Sequence, residues 1–140
     1  MQSNQLTPEF AVRDIEKSIA FYCQILGFKL EYQRPEEGFA LVSLDATQLM
    51  LDQIDLGRTF GEDLQNQRLG LGLNVQIFVE EAQLEHMLDA LEKGEHPLYL
   101  PLEEKWYRKD NVEVGNKQFV VADPDGYLLR FAVKLKNREI

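Results

Sequence analysis

The sequence predicts an α+β fold of two tandem β-α-β-β-β modules, and three observations carry that reading. A strand-and-helix pattern occurs twice at one spacing, Val12 and Gly27 being answered by Val79 and Gly94 at a common offset of 67. The run from Asp45 to Asp52 lies over the run from Asp123 to Arg130, at an offset of 78. Between Gln118 and Val133, two β-prone runs flank Asp123-Pro124-Asp125-Gly126. There proline presets φ at the first turn position and glycine supplies the left-handed conformation that closes a hairpin.

Leu6 to Val12 reads as a strand, with Phe10 and Val12 on one face and Thr7, Glu9 and Ala11 on the other. Asp14 caps a helix from Ile15 to about Leu26, in which Ile15, Ile19, Tyr22 and Leu26 form an apolar stripe, and Gly27 stops it. Strands follow at Phe28 to Gln33, Phe39 to Leu44 and Gln48 to Gln53, separated by the turns Arg34 to Gly38 and Asp45 to Thr47. Ile54 to Gly70 is polar and aperiodic and reads as a connection. The pattern then restarts: Leu73 to Val79 alternates as a strand, and Glu80 to Lys93 carries Leu84, Met87, Leu88 and Leu91 at helical spacing before Gly94. The two offsets make the second module longer by 11 residues, placed between Leu98 and Gly115 and holding the sole tryptophan, Trp106. One domain over 1–140 is expected, with module one at about 5–53, the connection at 54–70 and module two at about 71–135.

One helix per module covers one face of its sheet, which leaves the other to solvent, a ligand or a second subunit. Alternation places Thr7, Glu9, Gln48, Met50 and Asp52 on that face in module one. In module two it places Asn74, Gln76, Phe78, Leu128, Arg130 and Ala132 there. The mixture of polar and large apolar groups suits a binding crevice.

Aspartate and glutamate number 24 against 15 lysines and arginines, a net charge of −9 that argues against nucleic acid and anionic membrane and favours cationic partners. Solubility alone is the plainer account of that charge. Cys23 is the single cysteine, so neither a disulfide within the chain nor a cysteine zinc site is expected. Met1 to Gln5 lacks a basic region followed by an apolar run, and no apolar stretch approaches the ~20 residues of a membrane span. A soluble, cytoplasmic protein is expected. There is no glycine-rich phosphate loop, nucleophile elbow or His-Glu-x-x-His, and no catalytic residue is assigned.

Val12-Arg13-Asp14-Ile15-Glu16-Lys17-Ser18-Ile19-Ala20-Phe21-Tyr22, then Leu26-Gly27-Phe28, then Asp123-Pro124-Asp125-Gly126-Tyr127-Leu128-Leu129-Arg130-Phe131 resemble the vicinal oxygen chelate superfamily. This is the superfamily of glyoxalase I, bleomycin and fosfomycin resistance proteins and extradiol dioxygenases, and the resemblance covers nearly the whole chain. It implies modules closing into a U-shaped mixed sheet around a cavity, helices on the outer face, and a homodimer sharing each cavity. In metalloenzyme members four strand positions ligate the ion; here they fall on Thr7, Asp52, Asn74 and Arg130. That set offers one carboxylate, one weak hydroxyl, one amide and an arginine, which has no lone pair to donate and repels a cation. No metal and no cofactor are therefore expected. His86 in the second helix and His96 after it stand apart from these positions. Asp52 and Arg130 are expected to pair in the metal's place.

Gly38-Phe39-Ala40-Leu41-Val42 resembles the segment of the bleomycin resistance proteins whose aromatic stacks on the drug, which gives Phe39 that role, with a strand-entry core residue as the alternative. Their second stacking aromatic falls on Gly115. Trp106 and Tyr107 either close over the cavity or cover the end of the second sheet. The expected function is metal-free sequestration of a cationic or aromatic organic ligand, bleomycin-like and of the antibiotic-resistance type, by Thr7, Glu9, Phe39, Met50, Asp52, Asn74, Trp106, Tyr107 and Arg130. A metal-dependent lyase, isomerase or dioxygenase is the alternative, and a cavity filled by its own side chains is the third.

Overall fold

In the computed structural model, which describes residues 4–57 and 60–140, the repeat in the sequence is a repeat of topology. The start of the N-terminal run read for a leader, Met1 to Ser3, and two positions of the connection, 58 and 59, lie outside the described residues. The chain separates into two compact units. One holds the chain up to Leu71 together with Asp123–Tyr127, and the other holds Gly72–Ala122 with Leu128–Ile140.

The sheet of the first unit contains β1 (Glu9–Val12), β2 (Lys29–Arg34), β3 (Phe39–Leu44) and β4 (Thr47–Gln53) in the order β1-β4-β3-β2. β1 runs parallel to β4 and the other neighbours are antiparallel. β1 starts later than the Leu6 expected for it. Pro8 has no N–H to give a ladder; its carbonyl accepts from Met50 N at 2.9 Å, and regular pairing begins at Glu9 opposite Met50.

Asp14 caps the helix as expected, its carboxylate accepting from Lys17 N at 3.2 Å, but only Ile15–Ile19 is α-helical (α1). Ala20–Ile25 widens into a π-helical turn, closed by Leu26 N donating to Phe21 O at 3.1 Å. With the wider turn both successive aromatics, Phe21 and Tyr22, are buried, edge to face at 5.6 Å. A period of 3.6 does not distinguish the two helices over six residues. Tyr22, fully buried, donates its hydroxyl to Asp123 at 2.7 Å, and Asp123 also accepts from the backbone N–H groups of Asp125 at 2.9 Å and Tyr127 at 3.0 Å. The Asp-Pro-Asp-Gly turn is thereby docked on the first unit. Tyr127 stacks on Phe10 at 4.2 Å and 8° and donates its hydroxyl to Ala11 O at 2.8 Å.

The second unit repeats the arrangement. β5 (Asn74–Phe78), β6 (Leu100–Lys109), β7 (Val112–Ala122) and β8 (Leu128–Lys134) lie in the order β5-β8-β7-β6, with β5 parallel to β8. A short β9 (Arg138–Glu139) pairs with β7. Between β5 and β6, α2 (Glu81–Lys93) starts in a capping box of Glu80 and Gln83 and buries Leu84, Met87 and Leu91. The 11 extra residues do not form a separate lobe. They lengthen the β6–β7 hairpin, whose strands pair as far as Lys109 opposite Val112.

Register confirms the faces read from alternation. Glu9 and Ala11 lie beside Met50 and Asp52, which face Leu41 and Phe39 across β3. Asn74, Gln76 and Phe78 lie beside Leu128, Arg130 and Ala132. Among the described residues no helix is long and apolar enough to cross a membrane.

Candidate functional site

The first unit contains a cavity of about 610 Å³. Its sheet side is Glu9, Phe39 and Asp52; Arg34 and Glu37 stand at one edge, Gly57 packs against Glu37 and Asp52, and Leu56 and Phe60 complete the lining. The volume is that of a site for a drug-sized molecule. Phe39 and Asp52 are direct cross-strand partners, so the aromatic and the carboxylate sit side by side by construction. The edge is set by the turn after β2. Pro35–Glu37 makes one tight helical turn that ends at Gly38 in the left-handed conformation, φ 64°. A Cβ there would meet Gln53 Cβ and Leu56 Cδ2 at 2.8 Å, so position 38 must be glycine both for its φ and for space.

Asp52 is 9% exposed and has no hydrogen-bond or ion-pair partner among the described residues. Burial, then the Glu9 and Glu37 carboxylates, hold its carboxyl above the ordinary aspartate value, and Arg34 opposes them. Arg34 donates Nε to Glu37 Oε2 at 2.6 Å. Its guanidinium carbon lies 4.2 Å from the centre of the Phe39 ring and 5.8 Å from that of Tyr32. The cavity is thus acidic, with one planar cation stacked on its aromatic.

Of the residues expected at the site, Glu9, Phe39 and Asp52 line this cavity, and Met50 lies beside Glu9 in the sheet, half-buried. Thr7 is half-buried ahead of β1. Phe39 is 7% exposed, yet it both lines the cavity and carries Arg34. Sequence reasoning left out Arg34, Leu56 and Phe60. A signal for Arg34 existed: it and Phe39 are symmetric about the Pro35 to Gly38 turn and pair across it.

Asn74, Tyr107 and Arg130 lie in the second unit. Arg130 Nη2 donates to Asn74 Oδ1 at 3.0 Å, which occupies the amide oxygen of one expected ligand position. Gln118, 2% exposed, donates Nε2 to Glu103 at 3.0 Å and to the Tyr107 hydroxyl at 3.3 Å, while its Oε1 is buried with no hydrogen-bond partner among the described residues. Trp106 takes a different place. It pairs with Gly115, in phase with inward-facing Phe119, so it stands on the opposite face of this sheet from Tyr107 and Arg130. Its ring covers Gly115, where a Cβ would lie 2.5 Å from it, and the Arg138 guanidinium carbon lies over the ring, 3.8 Å from its centre.

The donor set does not suit a divalent ion. Arg130 cannot ligate, it engages Asn74, and among the described residues no group of three or more His, Cys, Asp or Glu converges.

The model of the Glyoxalase/Bleomycin resistance protein/Dioxygenase superfamily matches residues 4–131. The chain belongs to this superfamily. Among solved structures, this glyoxalase-superfamily chain is similar to TioX from Micromonospora sp. ML1, with 20% identity over 95% of this chain and 100% of that one, at a TM-score of 0.70. An integron cassette protein from the mobile metagenome of V. Pseudocholerae shares 20% identity over 97% and 98% of the two chains, TM-score 0.68. Lactoylglutathione lyase from Agrobacterium tumefaciens shares 16% over 94% of each, TM-score 0.61. At these identities the likeness is one of fold. No curated protein matches the chain.

Proposed function

We propose that this superfamily member is a small-molecule binding protein of the bleomycin-resistance type. It sequesters a planar aromatic cation without a metal, as a cytoplasmic homodimer. The observation that carries the reading is the stacking of a guanidinium on Phe39 above an acidic cavity. A planar cation already sits where a ligand of that chemistry would, and Asp52, the cross-strand neighbour of Phe39, has a carboxylate with no hydrogen-bond or ion-pair partner among the described residues. A flat cation there gains ring stacking and a carboxylate counter-ion together.

The test uses ethidium, a permanently charged aromatic cation, titrated by fluorescence and followed on a sizing column. Saturable binding by the wild type, weakened about tenfold or more in Phe39→Ala, supports the reading. Absence of binding, or equal binding by the variant, removes it. A metal-dependent lyase, isomerase or dioxygenase is the second reading, favoured by the placement of the Glu9 and Asp52 carboxylates in one cavity. One divalent metal per chain in elemental analysis of protein purified without chelator would put it first.

A further inference from the structure

Arg34 is the last residue of β2, the edge strand of its sheet, and its side chain is 45% accessible. What holds it is local. The stacking partners Tyr32 and Phe39 and the carboxylate of Glu37 all belong to one hairpin, and Glu37 is three residues away. Exposed contacts of this kind are individually weak and exchange readily with solvent. Below lies a floor built for more than one cation. Asp52 is nine-tenths buried without a hydrogen-bond or ion-pair partner among the described residues, and Glu9 adds a second carboxylate, whereas Arg34 spends its close contact on Glu37.

We propose that Arg34 is a side-chain surrogate for the ligand: its guanidinium occupies the stacking place on Phe39 and swings out when a planar delocalised cation enters, so Arg34 sets the affinity threshold of the site. This rests on the ligand-binding reading above and gives it a chemical class. The ligand replaces a guanidinium and therefore carries an amidinium, a guanidinium or a charged heteroaromatic ring; a compact ammonium, which cannot lie flat on Phe39, binds less well. Displaced into solvent on an edge strand, Arg34 remains free to pair with Glu37 or to cover the bound molecule.

The experiment compares wild type and Arg34→Ala, with melting curves confirming that both are folded, using ethidium and methylguanidinium as probes. Binding of methylguanidinium is read from the NMR shifts of the Phe39 ring. The expected result is that Arg34→Ala binds ethidium about tenfold more tightly than the wild type and takes up methylguanidinium, which the wild type does not. Ethidium bound equally by both proteins, with no methylguanidinium uptake, overturns the surrogate role while leaving the binding function standing. If neither protein binds ethidium, the aromatic-cation binding reading falls, and methylguanidinium decides the surrogate role alone: uptake by Arg34→Ala only supports it, and no uptake removes it.

Discussion

At the scale of single residues, partners decide roles that residue type leaves open. Trp106 is a large aromatic in an inserted segment, a description that suits a ligand lid and a structural cover equally. Its register opposite Gly115 and the Arg138 guanidinium at 3.8 Å make it a cover of the second sheet, on the face away from Tyr107 and Arg130. Trp106→Ala therefore bares a glycine-bearing stretch of β7 and leaves Arg138 without its ring. A loss of about 2 kcal/mol in urea unfolding is expected for removing a half-buried aromatic. Ethidium affinity should stay unchanged, because Trp106 does not line the cavity of Phe39 and Asp52. A variant as stable as the wild type but defective in ethidium binding would assign Trp106 to the ligand instead.

At the scale of elements, the Asp123–Tyr127 turn shows what the sequence makes legible and what it does not. Asp-Pro-Asp-Gly between two alternating runs specifies a hairpin through local backbone chemistry, and the hairpin forms, with Gly126 N donating to Asp123 O at 3.0 Å. The partner of the Asp123 side chain, Tyr22, is 101 residues away in a π-helical turn, and no periodicity announces either the distance or the turn. Arg34 was hidden for the related reason that it reads as turn punctuation until strand pairing sets it beside Phe39. Burial pushes the Asp123 carboxyl up to about 6 against the pull of its three hydrogen bonds. Between the ordinary aspartate value and that figure the folded chain holds a proton that the unfolded chain has released, so stability falls as pH rises from about 4 to about 6 and is then level. The full shift corresponds to about 3 kcal/mol. Asp123→Asn keeps an oxygen for the N–H groups of Asp125 and Tyr127 and offers Tyr22 a donor in place of an acceptor. Urea unfolding between pH 4 and pH 7 should show the Asp123-dependent slope in the wild type and its loss in the variant; parallel profiles would mean that Asp123 stays ionised throughout.

At the scale of the whole molecule, two kinds of electrostatics act on a cationic ligand, and they are separable. The net charge of −9 attracts any cation at a distance, and salt screens that attraction over about 10 Å at 0.1 M. Asp52 acts at contact, beside Phe39 on the adjacent strand, where little solvent reaches it. Burial and the neighbouring Glu9 and Glu37 hold its carboxyl above the ordinary value, so acidification neutralises it earlier than an exposed aspartate. A bound cation favours the ionised form, so ligand affinity falls as pH drops through that raised value, and binding expels the proton. Salt should therefore weaken ethidium binding in wild type and Asp52→Asn alike, whereas a step from pH 7.5 to pH 4.5 should weaken it more in the wild type. The variant, which has no titrating group at that position, should bind weakly at both pH values, and it should melt at a higher temperature than the wild type at pH 7.5 because a desolvated, repelled charge has been removed. Fluorescence titrations at two salt concentrations and two pH values make the comparison. Equal pH responses in the two proteins would place the ligand away from Asp52 and leave long-range attraction as the only electrostatic contribution to its binding.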